Sequence, residues 1–166
     1  MAMKSTETRY KLRLDGISAL VFNSNVGLID GEDKGRDPSR YEREHFRDKV
    51  YTNIAGHLVI PARAVKRTLI EACRFFAEKP KGVNFRSYGP FVQSATIVPQ
   101  DAELRNGERT LLTAAAVEPL TLVVNLDPSK GPKGPRGPRT RPMLPTPWSA
   151  ETELLVFDPI LSAEII

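Results

Sequence analysis

Apolar and polar positions alternate over residues 9–16. Tyr10, Leu12 and Leu14 take one side; Lys11, Arg13 and Asp15 take the other. A period of two predicts a half-buried strand with a basic outer face. Gly16 ends or bulges it, and the apolar patch at 17–22 reads as its continuation beyond the bulge. The alternation returns at 148–157, where Trp148, Ala150, Thr152, Leu154 and Val156 share a face opposite Ser149, Glu151, Glu153 and Leu155. Asp158-Pro159 closes that strand, and 159–166 reads as a short helix. Two further strands are predicted, one over 91–98 with small residues at its middle and one over the β-branched run 120–126. The second suits a central strand. Asn106-Gly107 between them is a strong turn signal.

One stretch changes period. Leu58, Val59 and Ile60 are strand formers, and Pro61 stops a ladder but suits the first turn of a helix. From Ala62 no glycine or proline occurs until Pro80. On a helical wheel Val65, Leu69, Ala72 and Phe76 share one face, with Arg63, Lys66, Arg67 and Arg74 opposite. Ile70 is a misfit on the polar side. The spacing predicts a helix over 61–76 that packs one face on a sheet and presents a basic face outward.

Two stretches lack either period. Residues 23–49 hold Gly27, Gly31, Gly35 and Pro38 among dense charge of both signs, an excursion with a short helix at 38–49. Residues 128–147 hold seven prolines and three glycines, with Lys130, Lys133, Arg136, Arg139 and Arg141 recurring mostly every third residue. Acidic residues are absent from 128–150. Proline at that density excludes helix and central strand and leaves a mobile or polyproline-II loop. The plain alternative is a solubilising linker. The whole is expected to be one α+β domain over 1–166, an antiparallel sheet covered on one face by a helix, with loop excursions at about 23–49 and 128–147.

Composition narrows the chemistry. A chain of 166 residues with net charge +4 permits a nucleic-acid partner without requiring one. Cys73 is the only cysteine, which excludes an internal disulfide, and it reads as a buried small hydrophobe. With only His45 and His57 besides, no dedicated zinc site is expected. Asp30, Glu32, Asp33 and Asp37 lack calcium-loop spacing and read as solvated loop acids. No apolar run reaches the length of a membrane span, and the polar start lacks a signal-peptide core. A cytoplasmic protein without cofactor or metal is the expectation.

The order Leu58-Val59-Ile60-Pro61-Ala62-Arg63-Ala64-Val65-Lys66-Arg67-Thr68-Leu69 resembles a segment of the repeat-associated RNA-binding (RAMP) superfamily, the ferredoxin-like subunits that form the backbone of CRISPR effector complexes. Ile60-Pro61 and Lys66 match its pattern; Val65 stands where leucine is usual and Ala62 where serine is. Small phage and prophage proteins carry a similar segment and a similar closing run, here Arg141-Pro142 to Trp148. The resemblance implies a ferredoxin-like, RRM-like domain whose basic helix lies along bound RNA, in antiviral defence or in a standalone cousin. Some nucleases of the related superfamily cleave RNA with a histidine, which makes His45 the one catalytic candidate.

The functional expectation is a non-catalytic, largely sequence-independent binder of single-stranded RNA or DNA, acting as a homo- or hetero-oligomer along the strand. Its expected contacts are Arg63, Lys66, Arg67, Arg74, Arg86, Lys130, Lys133, Arg136, Arg139 and Arg141, with Phe85 and Tyr88 as candidates to stack bases. The competing expectation is a phage structural or assembly protein whose loops grip neighbouring subunits.

Overall fold

The structure, a computed structural model, describes residues 7–23, 38–73, 75, 88–126, 129 and 134–157, excepting the side chains of 38 and 39. It is an α+β protein with antiparallel strand pairs. The chain divides into two compact units, one of Met1–Leu14, Val59–Leu104 and Ala150–Ile166, the other of Asp15–Leu58 and Arg105–Ser149. The expected helix at 159–166 lies outside the described residues.

The first unit is built on a five-stranded sheet. β1 (Thr8–Asp15), β8 (Trp148–Val156), β5 (Ala102–Asn106) and β3 (Val59–Ile60) follow one another across it, and β4 (Thr96–Ile97) also pairs with β8. β8 keeps its predicted alternation, with Ala150, Thr152, Leu154 and Val156 buried and Glu151 and Glu153 exposed. Thr152 Oγ1 donates to the Gln100 carbonyl at 3.0 Å, so the one hydroxyl on that inward face is satisfied. β1 is half-buried at Tyr10, Leu12 and Leu14, as its period requires. It stops at Asp15 and does not continue beyond Gly16.

Two helices belong to this unit, α2 (Ala62–Ala72) and α3 (Gly89–Ala95), and they pack together. α2 begins after Pro61 as expected, and its Ala62 amide donates to Asp101 Oδ1 at 2.8 Å. A carboxylate supplied from far along the sequence thus satisfies one of the helix's orphan donors. The buried arc is turned from the predicted one. Val65 and Cys73 are buried and Leu69 and Ile70 half-buried, while Ala72 is exposed. Phe76 lies outside the described residues. With Val65 and Cys73 at the centre of the buried arc, Lys66 and Ile70 occupy its half-buried margin. α3 takes the first part of the strand expected over 91–98, and only Thr96–Ile97 remains strand, as β4. Pro90 opens the helix and Phe91, Val92 and Ala95 bury one face at helical spacing. The Ser94 and Thr96 hydroxyls turn back onto carbonyls one turn earlier.

The second unit carries a three-stranded sheet in the order β2 (Leu20–Val21), β7 (Arg136–Leu144), β6 (Glu118–Asn125). The apolar patch after Gly16 supplies β2, so it belongs to this sheet and not to the strand before it. α1 (Pro38–Glu44) and the 3-10 turn Phe46–Lys49 pack against β7, with Phe46 buried. The Asn106-Gly107 turn forms as expected. Asn106 Oδ1 accepts the amides of Glu108 and Thr110, and Arg109 takes the left-handed conformation at φ 65°.

β7 overturns the expectation of a loop for residues 136–144, and it is the central strand of its sheet. Its register with β6 explains how prolines are tolerated. Pro138 faces Val123, Thr140 faces Thr121 and Pro142 faces Pro119. The Thr140 amide points away from β6, to Glu42, and the Pro142 carbonyl points away from β6, to the Phe22 amide at 2.9 Å. Residues of this parity form the non-hydrogen-bonded pairs of the ladder, where a missing N–H costs no bond to β6. Three prolines sit at such positions. β6 is correspondingly the edge strand, not a central one.

Candidate nucleic-acid interface

The expected cations divide between the two units. Arg63 and Arg67 stand one turn apart on the exposed side of α2, next to exposed Ala64 and Thr68. The helix beneath them is fixed by Val65 and Cys73, so their spacing is rigid. Lys66 is different. It is half-buried, and its ammonium donates to the Thr96 carbonyl at 2.7 Å. A cation there satisfies a carbonyl at the C-terminal end of α3, where the helix dipole also favours it. Lys66 therefore has a structural task, and the outward basic face consists of the arginines.

On β7 the alternation separates the arginines. Arg139 and Arg141 lie on one face and Arg136 on the other. Arg136 is exposed; Arg139 and Arg141 are half-buried. The absence of acids from 128–150 predicts no counter-charge, but the fold supplies one from α1. Arg139 donates to Glu42 Oε1 at 2.9 Å, and Lys49 reaches the same oxygen at 3.0 Å. Glu42 Oε2 accepts the Thr140 amide at 3.1 Å. Burial pushes the Glu42 carboxyl up; the Lys49 hydrogen bond, the Thr140 amide and the charges of Lys49 and Arg139 together outweigh burial and hold it below its usual value. Two cations on one carboxylate leave a single positive excess there. Its β7 partners, Arg139 and Thr140, lie 97 and 98 residues away, so nothing local marks Glu42 as their counter-charge.

Arg74, Arg86, Lys130, Lys133 and Phe85 lie outside the described residues, as do Asp30, Glu32, Asp33 and Asp37. Tyr88 is 6% exposed and belongs to the core, so it offers no stacking surface. His45 Nδ1 lies 3.1 Å from Asp48 Oδ2, and its ring stacks on Tyr41 with centroids 4.4 Å apart. Both His45 and Asp48 side chains are substantially solvent-exposed. His57 is held by β pairing with Thr113 and by its amide, which donates to Asn53 Oδ1 at 3.0 Å. Cys73 is buried, and burial pushes its thiol up, away from the thiolate a nucleophile needs. No group of three or more metal-ligating side chains occurs among the described residues. Among them, too, no helix is long and apolar enough to cross a membrane.

The solvent side of the five-stranded sheet mixes signs. Lys11 pairs with Glu151 at 2.9 Å, and Glu153 is exposed alongside. Sheet-face recognition of nucleic acid needs exposed aromatics, and β8 offers acids there instead. Of the expected contact residues that the structure describes, the exposed or half-buried arginines are Arg63 and Arg67 on α2 and Arg136, Arg139 and Arg141 on β7; guanidinium is a side chain suited to phosphate. No known family model matches the chain, and no curated protein sequence matches it.

Proposed function

We propose that this protein is a non-catalytic, largely sequence-independent binder of single-stranded nucleic acid, with RNA favoured, and that α2 supplies its rigid contact. The observation that carries the proposal is the pair Arg63 and Arg67, exposed one turn apart on a helix anchored through its opposite side. Guanidinium groups at fixed spacing pair with successive phosphates and read no base. Small neighbours at Ala64 and Thr68 leave room for a backbone to approach. Arg136 and Arg141 on β7 add a second cationic element, and the Lys49–Glu42–Arg139 cluster a smaller one. The finer fold reading is ferredoxin-like, with the antiparallel strands around α2 and α3 in its support; the second sheet draws β2 from between β1 and β3 and β6 and β7 from between β5 and β8.

A second reading, a structural or assembly protein, draws support from the exposed apolar side chains of Leu122, Val123 and Leu126 at the edge strand β6. Salt separates the two. Phosphate contacts weaken linearly in the logarithm of salt, whereas an apolar contact does not. The test is the absorbance ratio at 260 and 280 nm of the purified protein before and after a high-salt wash. Binding predicts a ratio that starts high and falls with the wash; a protein-like ratio throughout supports assembly.

A further inference from the structure

Phe22, Phe46 and Phe91 are 4%, 5% and 9% exposed, whereas Phe75 is 88% exposed. It is the one exposed aromatic among the described residues. The end of α2 puts it there. Cys73 is buried, and a step of two residues at about 100° each turns a side chain to nearly the opposite side of the axis. The Phe75 amide donates to the Ala72 carbonyl at 3.0 Å, so the turn that closes α2 carries the ring outward. Ala64, Thr68 and Ala72 are exposed at four-residue steps, and Phe75 continues their side of the helix beyond its last turn. Arg63 and Arg67 stand beside that side.

We infer that Phe75 stacks on a base of the same strand whose phosphates lie on Arg63 and Arg67. The inference rests on the binding reading and names the residue that confines it to unpaired bases. Charge decides what the ring receives. The last turn of α2 is a poor place for a further phosphate. Glu71, the one acid in Ala62–Ala72, is half-buried there and already engaged. The free carbonyls of a helix C-terminus add negative potential. Phosphate is thereby kept on the arginines, in the first half of the helix, and an uncharged group is favoured at Phe75. A nucleobase is uncharged and flat, and every base has a π-face that stacks on phenylalanine.

A nucleic-acid strand offers both groups that this side of α2 calls for, an anionic phosphate and an apolar base, at every nucleotide. The ring also selects between forms. A duplex hides the faces of its bases inside the stack, whereas a single strand can turn a base out onto an aromatic side chain. Two guanidinium groups alone would accept the phosphates of either form. Phe75 adds the preference for the single strand, and it adds none for sequence, because stacking reads no base edge.

The experiment is fluorescence anisotropy of the full chain, freed of nucleic acid at high salt, with labelled oligo(dT), an abasic oligomer of the same length and a duplex. The parent should bind oligo(dT) more tightly than either of the others. Phe75→Ala should weaken oligo(dT) binding about 5- to 150-fold and bind the abasic oligomer as the parent does. Its salt slope should match the parent's, because no phosphate contact is lost. Phe75→Trp should keep the affinity; Phe75→Leu, apolar without a π-face, should not. All three variants should keep the parent's circular dichroism spectrum, since the side chain is exposed. A parent that binds none of the probes at low salt sinks the binding reading and this inference with it. A parent that binds oligo(dT) while Phe75→Ala or Phe75→Leu is indistinguishable from it overturns the stacking alone. Self-association of the parent that Phe75→Ala abolishes in light scattering, with oligo(dT) affinity unchanged, assigns the ring to a second copy and also overturns it.

Discussion

Glu42 and Arg139 are joined at 2.9 Å across 97 residues of sequence, and the same carboxylate receives Lys49 and the Thr140 amide. α1 is thereby tied to the one non-proline amide among the three outward positions 138, 140 and 142 of β7. Pro138 and Pro142 flank it with no donor to offer. Glu42→Gln keeps the shape and removes the charge, and should cost about 1–3 kcal/mol at neutral pH by denaturant melts. The Glu42 carboxyl is held below its usual 4.5, so its contribution is complete above that value and lost as pH falls through the lower folded one. The gap between parent and Glu42→Gln should therefore shrink only in acid. A gap independent of pH contradicts the ion cluster.

Lys66 and Arg67 are neighbours with opposite expected phenotypes. Lys66→Ala leaves the Thr96 carbonyl without its donor and should lose roughly 1–2 kcal/mol of stability. Arg67→Ala should stay within about 0.5 kcal/mol of the parent in the same melts and weaken nucleic-acid binding. Equal stability loss in both would show that Arg67 is structural.

The Trp148 indole lies where a side chain at residue 16 would begin, and its Nε1 donates to the Ser18 carbonyl at 2.9 Å. A Cβ at Gly16 would collide with the ring. Gly16→Ala should cost about 1–3 kcal/mol by overpacking. A neutral result in thermal melts would place the indole elsewhere.

The inward arc of α2 predicts a contrast between adjacent apolar positions. Val65→Ala should destabilise by roughly 1–3 kcal/mol, since Val65 is 4% exposed. Ala72→Lys should be nearly neutral because Ala72 is exposed. A severe loss at Ala72 would restore the face that the helical wheel alone predicts.

β1 and β8 were legible in the sequence because each buries a single face, which leaves a period of two. The Pro61 entry to α2 and the Asn106-Gly107 turn were legible because their chemistry is local. β7 was hidden because proline content reports on backbone donors without saying which edge they face. Only the pairing of Pro138 with Val123 and Pro142 with Pro119 reveals that the missing amides fall where no bond to β6 is lost. α3 was not legible as a helix because Phe91 and Val92 suit either period in so short a run; Pro90 decides for helix, and only Thr96–Ile97 of the expected strand is strand. Of the candidate interface, Arg63 and Arg67 were legible from the wheel. Lys66 was not separable from them, because its carbonyl partner lies 30 residues away. The counter-charge on Arg139 was not legible either, for the same reason of distance.

The central claim is that arginines on α2 engage phosphate, and fluorescence anisotropy with labelled single-stranded RNA and DNA from low to moderate salt tests it most directly. The parent should bind both at low salt, with affinity falling linearly in the logarithm of salt. Changing Arg63 and Arg67 together to alanine should weaken binding for every sequence and flatten that slope by about 0.7 for each lost phosphate contact. No binding by the parent at low salt, or a double variant indistinguishable from it, would contradict the account.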